Sequence, residues 1–336
     1  MERLKVASLF AGCGGTDVGV QGGFSFCGHS YAALPTRLVY ANDFEPGACD
    51  MFDENFRVRI DRTDIRKVDP DGIPEHDFLT AGFPCQSFSI VAQNPPRLGI
   101  KDSDKGTLFE EVCRFLKARQ PKGFLCENVK GILSANKGTA FPIIMRSLRD
   151  CGYNVVHLLL NARYYGVPQR RERVFIVGFR DSRVLDAFRP PLPVPYSATL
   201  GDVVAEEAAV PPKYYFSERA VAGMRAAKPE MGKGRVQSLD GPCNTVGAHL
   251  CKMSLNGTDP VLCRNGRYRR FMPSEVARIQ SFPESYRLVG SERAQYKALG
   301  NAIPPVLAWH VMKAVCEAFG RAGRAHQINS TDKPAS

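Results

Sequence analysis

The chain has 336 residues with 44% hydrophobic and 24% charged side chains, which is ordinary globular composition and excludes a largely disordered protein. The length allows about two domains, and no run of eighteen apolar residues marks a membrane-spanning helix. The net charge is +11, and residues 213–270 alone carry eleven basic against four acidic side chains, a local excess that suits a polyanion such as nucleic acid. Eleven cysteines without a CxxC pair fit a reducing, cytoplasmic setting better than a disulfide framework. Cys243, His249, Cys251 and Cys263 fall close together but match no common zinc spacing, so no metal is expected. The apolar start leads directly into glycines and Asp17, which argues against a signal peptide.

Along the chain, Lys5–Phe10 reads as a strand, followed by a glycine-rich turn and a helix near Thr16–Gly22. Leu38–Ala41 and Asp77–Ala81 read as further strands, and Phe109–Ala118 has helical spacing. Gly123–Cys126 is a strand, Phe141–Cys151 a helix, and Asn154–Leu160 with Arg173–Phe179 a late strand pair. Strands alternating with helices predict an α/β fold, doubly wound around a mainly parallel sheet. The prolines of Arg189–Pro195 predict a linker into an irregular, basic, glycine-rich stretch. Helical patterning returns at Ser274–Gln280 and from Pro305 to about Ala322. The domains expected are 1–190 plus 298–323, a second smaller domain at 191–297, and a disordered tail at 324–336.

Five strand ends carry candidate chemistry. After the first, Gly12, Gly14 and Gly15 form a tight turn of the kind that receives nucleotide-like cofactors, although the spacing is not that of a dinucleotide fingerprint. After the second, Asp43 can accept from ribose hydroxyls and Phe44 can stack on adenine, while Asp64-Ile65 can hold the adenine edge. Taken singly, helix capping explains Asp43 and an ordinary turn explains Asp64. The third delivers Gly82-Phe83-Pro84-Cys85 into a loop at the carboxyl edge of the sheet, with a thiol set in polar surroundings. The fourth ends in Glu127-Asn128-Val129, where a carboxyl emerging from an apolar strand has its pKa raised and can serve a ring nitrogen. In Gln169–Arg173, alternation places Arg171 and Arg173 on one face and Arg170 and Glu172 on the other. Taken alone, that last motif reads better as a charged strand edge.

Taken in order, FAGCGG, GFPCQSFS, ENVKG, PQRRERVF, SEVARIQSFP and LGNAIPP closely resemble the cytosine-5 DNA methyltransferases over most of 1–185 and 268–312. The resemblance implies a Rossmann-like methyltransferase fold, S-adenosylmethionine as cofactor and double-stranded DNA as partner. It further implies a variable target-recognition region in the gap between the motifs. It implies Cys85 as nucleophile, Glu127 and Arg173 on the target ring, and Arg171 beside them, on the sugar-phosphate or supporting the loop. Phe10, Gly12, Gly14, Gly15, Asp43, Phe44, Asp64, Ile65, Pro84 and Asn301 match cofactor positions. Ser87, Lys233, Arg235, Thr245, Arg267 and Arg269 are the DNA contacts expected, with Ser87 to Leu108 as a closing loop. A bacterial restriction-modification setting is implied, with a cognate endonuclease sharing the site but no stable complex, and a monomeric, DNA-associated enzyme. The chain departs from the family at Ser8, where many members carry an acid, and at Asp43, where glutamate is commoner. It departs again at Phe271–Pro273, where a leucine-threonine pair is usual. Two other readings stand: a tRNA cytosine methyltransferase on the same scaffold, whose usual Cys-Phe-Thr tripeptide is missing here, and a catalytically silent DNA-binding relative.

Overall fold

The computed structural model describes residues 3–84, 108–226, 235–252 and 259–331. Six strands form the large sheet: β1 (Leu4–Leu9), β4 (Thr36–Asn42), β5 (Phe78–Ala81), β6 (Gly123–Val129), β7 (Asn154–Asn161) and β9 (Glu172–Phe179). Their order is β4-β1-β5-β6-β9-β7. The first four run parallel, whereas β9 is antiparallel to both β6 and β7. The reversal matters for function. It brings the start of β9 to the edge where β1, β4, β5 and β6 end, with Arg173 opposite Val129.

Successive residues face opposite sides of the sheet, and both sides are covered by helices. On one side Val6, Phe78, Leu125 and Phe175 pack with α1 (Gly15–Gln21), α2 (Pro46–Asn55) and a long C-terminal helix, Pro305–Thr331. On the other, Ala7, Leu79, Phe124 and Ile176 pack with α3 (Leu108–Arg119) and α4 (Ala140–Asp150). Each fully buried large side chain in these layers contributes roughly 1.5–3 kcal/mol. A short helix, α5 (Ser182–Ala187), follows β9 and packs against the C-terminal helix.

The hairpin β2 (Phe24–Phe26) and β3 (His29–Tyr31) was not foreseen. Its turn residues Cys27 and Gly28 both have positive φ. Residues 189–195 form neither helix nor strand, but they lie along the sheet body. Val194 donates to the Tyr164 carbonyl, and Tyr165 Oη donates to that of Pro191.

The later region is built from short pieces: α6 (Glu218–Ala226), β8 (Gln169–Arg170) paired with β10 (Cys243–Asn244), and β11 (Leu262–Arg264) paired with β12 (Arg267–Arg269). Its apolar residues Val203, Val246, Leu262 and Phe271 join the core that contains Val6 and Phe175. Next come α7 (Pro273–Ile279) and α8 (Glu292–Asn301), then the C-terminal helix, α9. The division expected at residue 297 falls inside α8, which lies against α2 and carries the Lys297–Glu45 ion pair. Helix α9 runs on to Thr331, into the stretch for which a disordered tail is expected. Residues 332–336 lie outside the described ones. Among the described residues, no helix is long and apolar enough to cross a membrane.

Candidate active site

The carboxyl edge of the sheet collects most of the expected residues. β1 ends at Leu9, and Phe10 follows with φ 54°, a left-handed conformation that aromatic residues rarely adopt. Gly12 also has positive φ, and a Cβ there would meet nothing within 4 Å, so the turn leaves open space above it. Gly14 differs: a Cβ would lie 2.2 Å from the Phe56 ring, so this glycine is required by packing. Gly15 begins α1.

Asp43 holds the neighbouring loop. Its Oδ2 accepts from Gly12 N–H (2.8 Å) and its Oδ1 from Glu45 N–H (2.9 Å), which ties the glycine turn to the start of α2. Burial raises its pKa, and these backbone donors oppose the shift. Each carboxylate oxygen keeps a second lone pair for a further donor. Phe44 beside it is 62% exposed, a largely uncovered apolar ring. Asp64 caps a short turn and is bound by Arg66, whose guanidinium holds its carboxyl down at about 2. Ile65 next to it is buried.

At the centre, β5 leads into Gly82-Phe83-Pro84, with Pro84 exposed. The Phe83 carbonyl accepts from Asn128 Nδ2 (2.9 Å), so β6 fixes the turn from which the chain enters residue 85. Cys85 and Ser87 lie outside the described residues, as does Lys233. Glu127 sits opposite Phe175, so Arg173, two residues along, reaches it diagonally on the same face. Arg173 Nε stands 2.8 Å from Glu127 Oε1, with both side chains nearly buried. Burial raises the Glu127 pKa, opposed by the positive charges of Arg173 and Arg171. A small cavity opens here, lined by Ser8, Phe10, Thr16, Gly82, Glu127 and Ile303 among others.

Arg171 requires correction as a member of the catalytic group. It shares a face with Arg173 but is 1% exposed, and its guanidinium donates to the carbonyls of Val246, Gly300 and Ala302. A side chain committed to three backbone acceptors supports the loop, the second of the two placements expected for it. Gln169 and Gln280, which sequence reasoning missed, extend this staple. Gln169 accepts from Val246 N–H and donates to Gln280, which donates to Leu299 O. Asn301 ends α8 exposed, two residues before Ile303 of the cavity.

The expected DNA contacts divide. Arg267 is exposed, stacked 3.8 Å above the Tyr215 ring and loosely paired with Glu207. Thr245 is exposed and donates to the Arg170 carbonyl. Arg269 is a correction: it is 2% exposed and makes a two-pronged ion pair with the fully buried Glu275. Arg235 is another, being 7% exposed with Nε directed at the Asp259 carbonyl. Neither guanidinium is free to meet a phosphate.

An open, mainly parallel sheet with a reversed strand near one edge, a glycine turn after β1 and an acid after β4 is the fold of the Rossmann-like methyltransferases. Within that class the chain belongs to the C-5 cytosine-specific DNA methylase family, whose pattern matches residues 4–317. Among its relatives, the Type II methyltransferase M.NlaX of Neisseria lactamica is 33% identical over 308 residues, 89% of this chain and 92% of that protein. M.HaeII of Haemophilus aegyptius is 32% identical over 313 residues, covering 90% of each. The solved structure of the Entamoeba histolytica methyltransferase EhMeth shares the fold, with a TM-score of 0.74 at 16% identity over 95% of this chain and 99% of that one. The chain is a DNA (cytosine-5-)-methyltransferase, and S-adenosylmethionine is its cofactor. The site suits that group: an exposed aromatic and a carboxylate for the nucleoside, with open space over Gly12.

Proposed function

We propose that the enzyme methylates carbon 5 of a cytosine turned out of a specific duplex site, through a covalent bond to Cys85, within a Type II restriction-modification system. The observation that carries this reading is the Glu127–Arg173 pair, set beside the turn that leads into Cys85 and nearly closed off from water. Carbon 5 of cytosine is a weak nucleophile because attack through it breaks ring conjugation. Addition of the Cys85 thiolate at carbon 6 forms a C–S bond and sends an electron pair toward carbon 5 and nitrogen 3. Glu127, whose pKa is raised by burial, is placed to donate to nitrogen 3 in its protonated form and so to offset the charge that develops there. Arg173 orients Glu127 and donates to oxygen 2. Bound S-adenosylmethionine supplies an electrophilic methyl group to carbon 5. Loss of the carbon-5 proton to a base then returns its electron pair to the ring, and the Cys85 thiolate leaves. The target atoms are inaccessible inside a duplex, so the base must leave the stack. The Type II relatives support the restriction-modification setting.

Fluorine at carbon 5 permits addition and methyl transfer but cannot depart as a proton does. A duplex with 5-fluorocytosine at the target should therefore become joined to the enzyme. The adduct should need S-adenosylmethionine, survive denaturation and map to the peptide containing Cys85. Methylation of ordinary sites without such an adduct, or an adduct at Cys126 or Cys151, would refute covalent catalysis through Cys85.

A further inference from the structure

Asp17 is a buried acid that the mechanism above does not use. It lies in the first turn of α1 and is fully buried, and neither carboxylate oxygen accepts a well-formed hydrogen bond from the described residues. The Ser8 hydroxyl lies alongside it. The titratable groups that face it are the Cys13 thiol and the Tyr286 hydroxyl, both held neutral by burial. Asp43 faces Cys13 and adds negative charge on that side. Among the described residues, no cation forms an ion pair with Asp17. Burying an ionised carboxylate without a partner costs several kcal/mol, so such a group keeps its proton until a cation arrives. Burial accordingly pushes the Asp17 carboxyl up to about 7.

Its position says which cation. Ser8 on β1 and Thr16 on α1 both line the cavity that also contains Phe10, Gly82 and Glu127. Ser8 therefore touches the acid on one side and the cavity on the other. The cofactor must span this edge of the sheet. Its nucleoside belongs at Asp43 and Phe44 beyond β4, and its methyl must reach the ring held by Glu127 beyond β6. The amino-acid end then falls over β1 and β5, between the two. We propose that Asp17 is the counter-charge for the α-ammonium group of bound S-adenosylmethionine, acting through the Ser8 hydroxyl as a positioning residue. The proposal rests on the cofactor site described above. Ammonium binding favours the ionised acid, so binding releases a proton. Affinity should rise with pH until the carboxyl of the free enzyme is already ionised.

The test is calorimetric binding of three ligands to the full chain: S-adenosylmethionine, S-adenosylhomocysteine, and 5′-methylthioadenosine, which lacks the ammonium. Asp17→Asn should weaken the first two by about tenfold or more, the scale of a hydrogen bond to a charged group, and leave the third unchanged. Ser8→Ala should show the same selectivity with a smaller loss. For the wild type, affinity for S-adenosylhomocysteine should increase up to about tenfold per pH unit between pH 5.5 and 7. Proton release should appear as a dependence on buffer ionisation heat, and Asp17→Asn should abolish both. Equal weakening of all three ligands, or a wild-type affinity that does not change with pH, would overturn the proposal. If D17N does not fold, the wild-type pH profile and Ser8→Ala decide the matter. Failure of the wild type to bind S-adenosylmethionine at all would instead overturn the cofactor site itself.

Discussion

At the residue scale, the contrast between Arg171 and Arg173 shows how little charge says without depth. They share a strand face two positions apart, yet one is locked onto three carbonyls and the other meets Glu127 at the rim of a cavity. Glu127 is thus a carboxyl with two opposed influences, burial raising its pKa and two guanidiniums lowering it, and burial prevails. An acid that must donate is active below its pKa, whereas a thiol that must ionise is active above its own. The single-turnover rate should therefore rise and then fall with pH. Glu127→Gln keeps the shape and can still donate from its amide, but it has no proton to lose. It should slow methyl transfer by ~10²–10⁴ and remove the falling limb. A variant with an unchanged rate would make Glu127 a structural carboxylate.

At the element scale, the long strands and helices were legible because their apolar periods are intact. Phe78–Ala81, Leu108–Arg119 and Ala140–Asp150 lie within a residue of expectation. Where an element was missed, its signal was weak. The β2–β3 hairpin turns on Cys27-Gly28 in place of an Asn-Gly or Asp-Gly pair, and its strands are three residues long. Helix α8 is introduced by a Ser291 cap that accepts from Ala294 N–H, but Gly300 near its end weakens its helical pattern. The burial of Arg269 depends on Glu275 reaching back across a β-to-α corner, and no periodicity reports that. The site was legible as a set of strand ends, and the connection between them was not. Asn128, one residue beyond Glu127, faces the other side of the strand and holds the Phe83 carbonyl while its own Oδ1 accepts from Val129 N–H. Asn128→Ala strands a buried carbonyl at about 1–3 kcal/mol and frees the turn before Cys85. Reacting groups displaced by about 1 Å can cost on the order of 10² in rate. Stopped turnover assays should show that fall in kcat with cofactor affinity retained. A loss confined to KM would mean the turn is held by something else.

At the scale of the whole molecule, the basic excess that first suggested nucleic acid is not a uniform surface. Part of it is spent internally: Arg235 on a carbonyl and Arg269 on Glu275, just as Arg171 outside that stretch is spent on the staple. Arg235 and Arg269 hold pieces of the later region to one another, while Arg171 ties Val246 of that region to the end of α8. What the DNA can meet is the exposed remainder, of which Arg267 above Tyr215 is the best-defined member. The two roles separate in a salt titration. An arginine that neutralises one phosphate contributes about −0.9 to the slope of log K against log salt. Arg267→Ala should therefore flatten the slope by about one and leave the melting temperature nearly unchanged, since its pairing with Glu207 is exposed and worth little. Arg269→Ala should do the reverse. It leaves Glu275 buried and uncompensated, at a cost on the order of 3–5 kcal/mol, so the protein should melt earlier while folded molecules keep the wild-type slope. Arg269→Ala flattening the slope with stability intact would mean that the β12–α7 corner opens on DNA and that its ion pair is a latch. Arg267→Ala with an unaltered slope would move the duplex to another part of the surface.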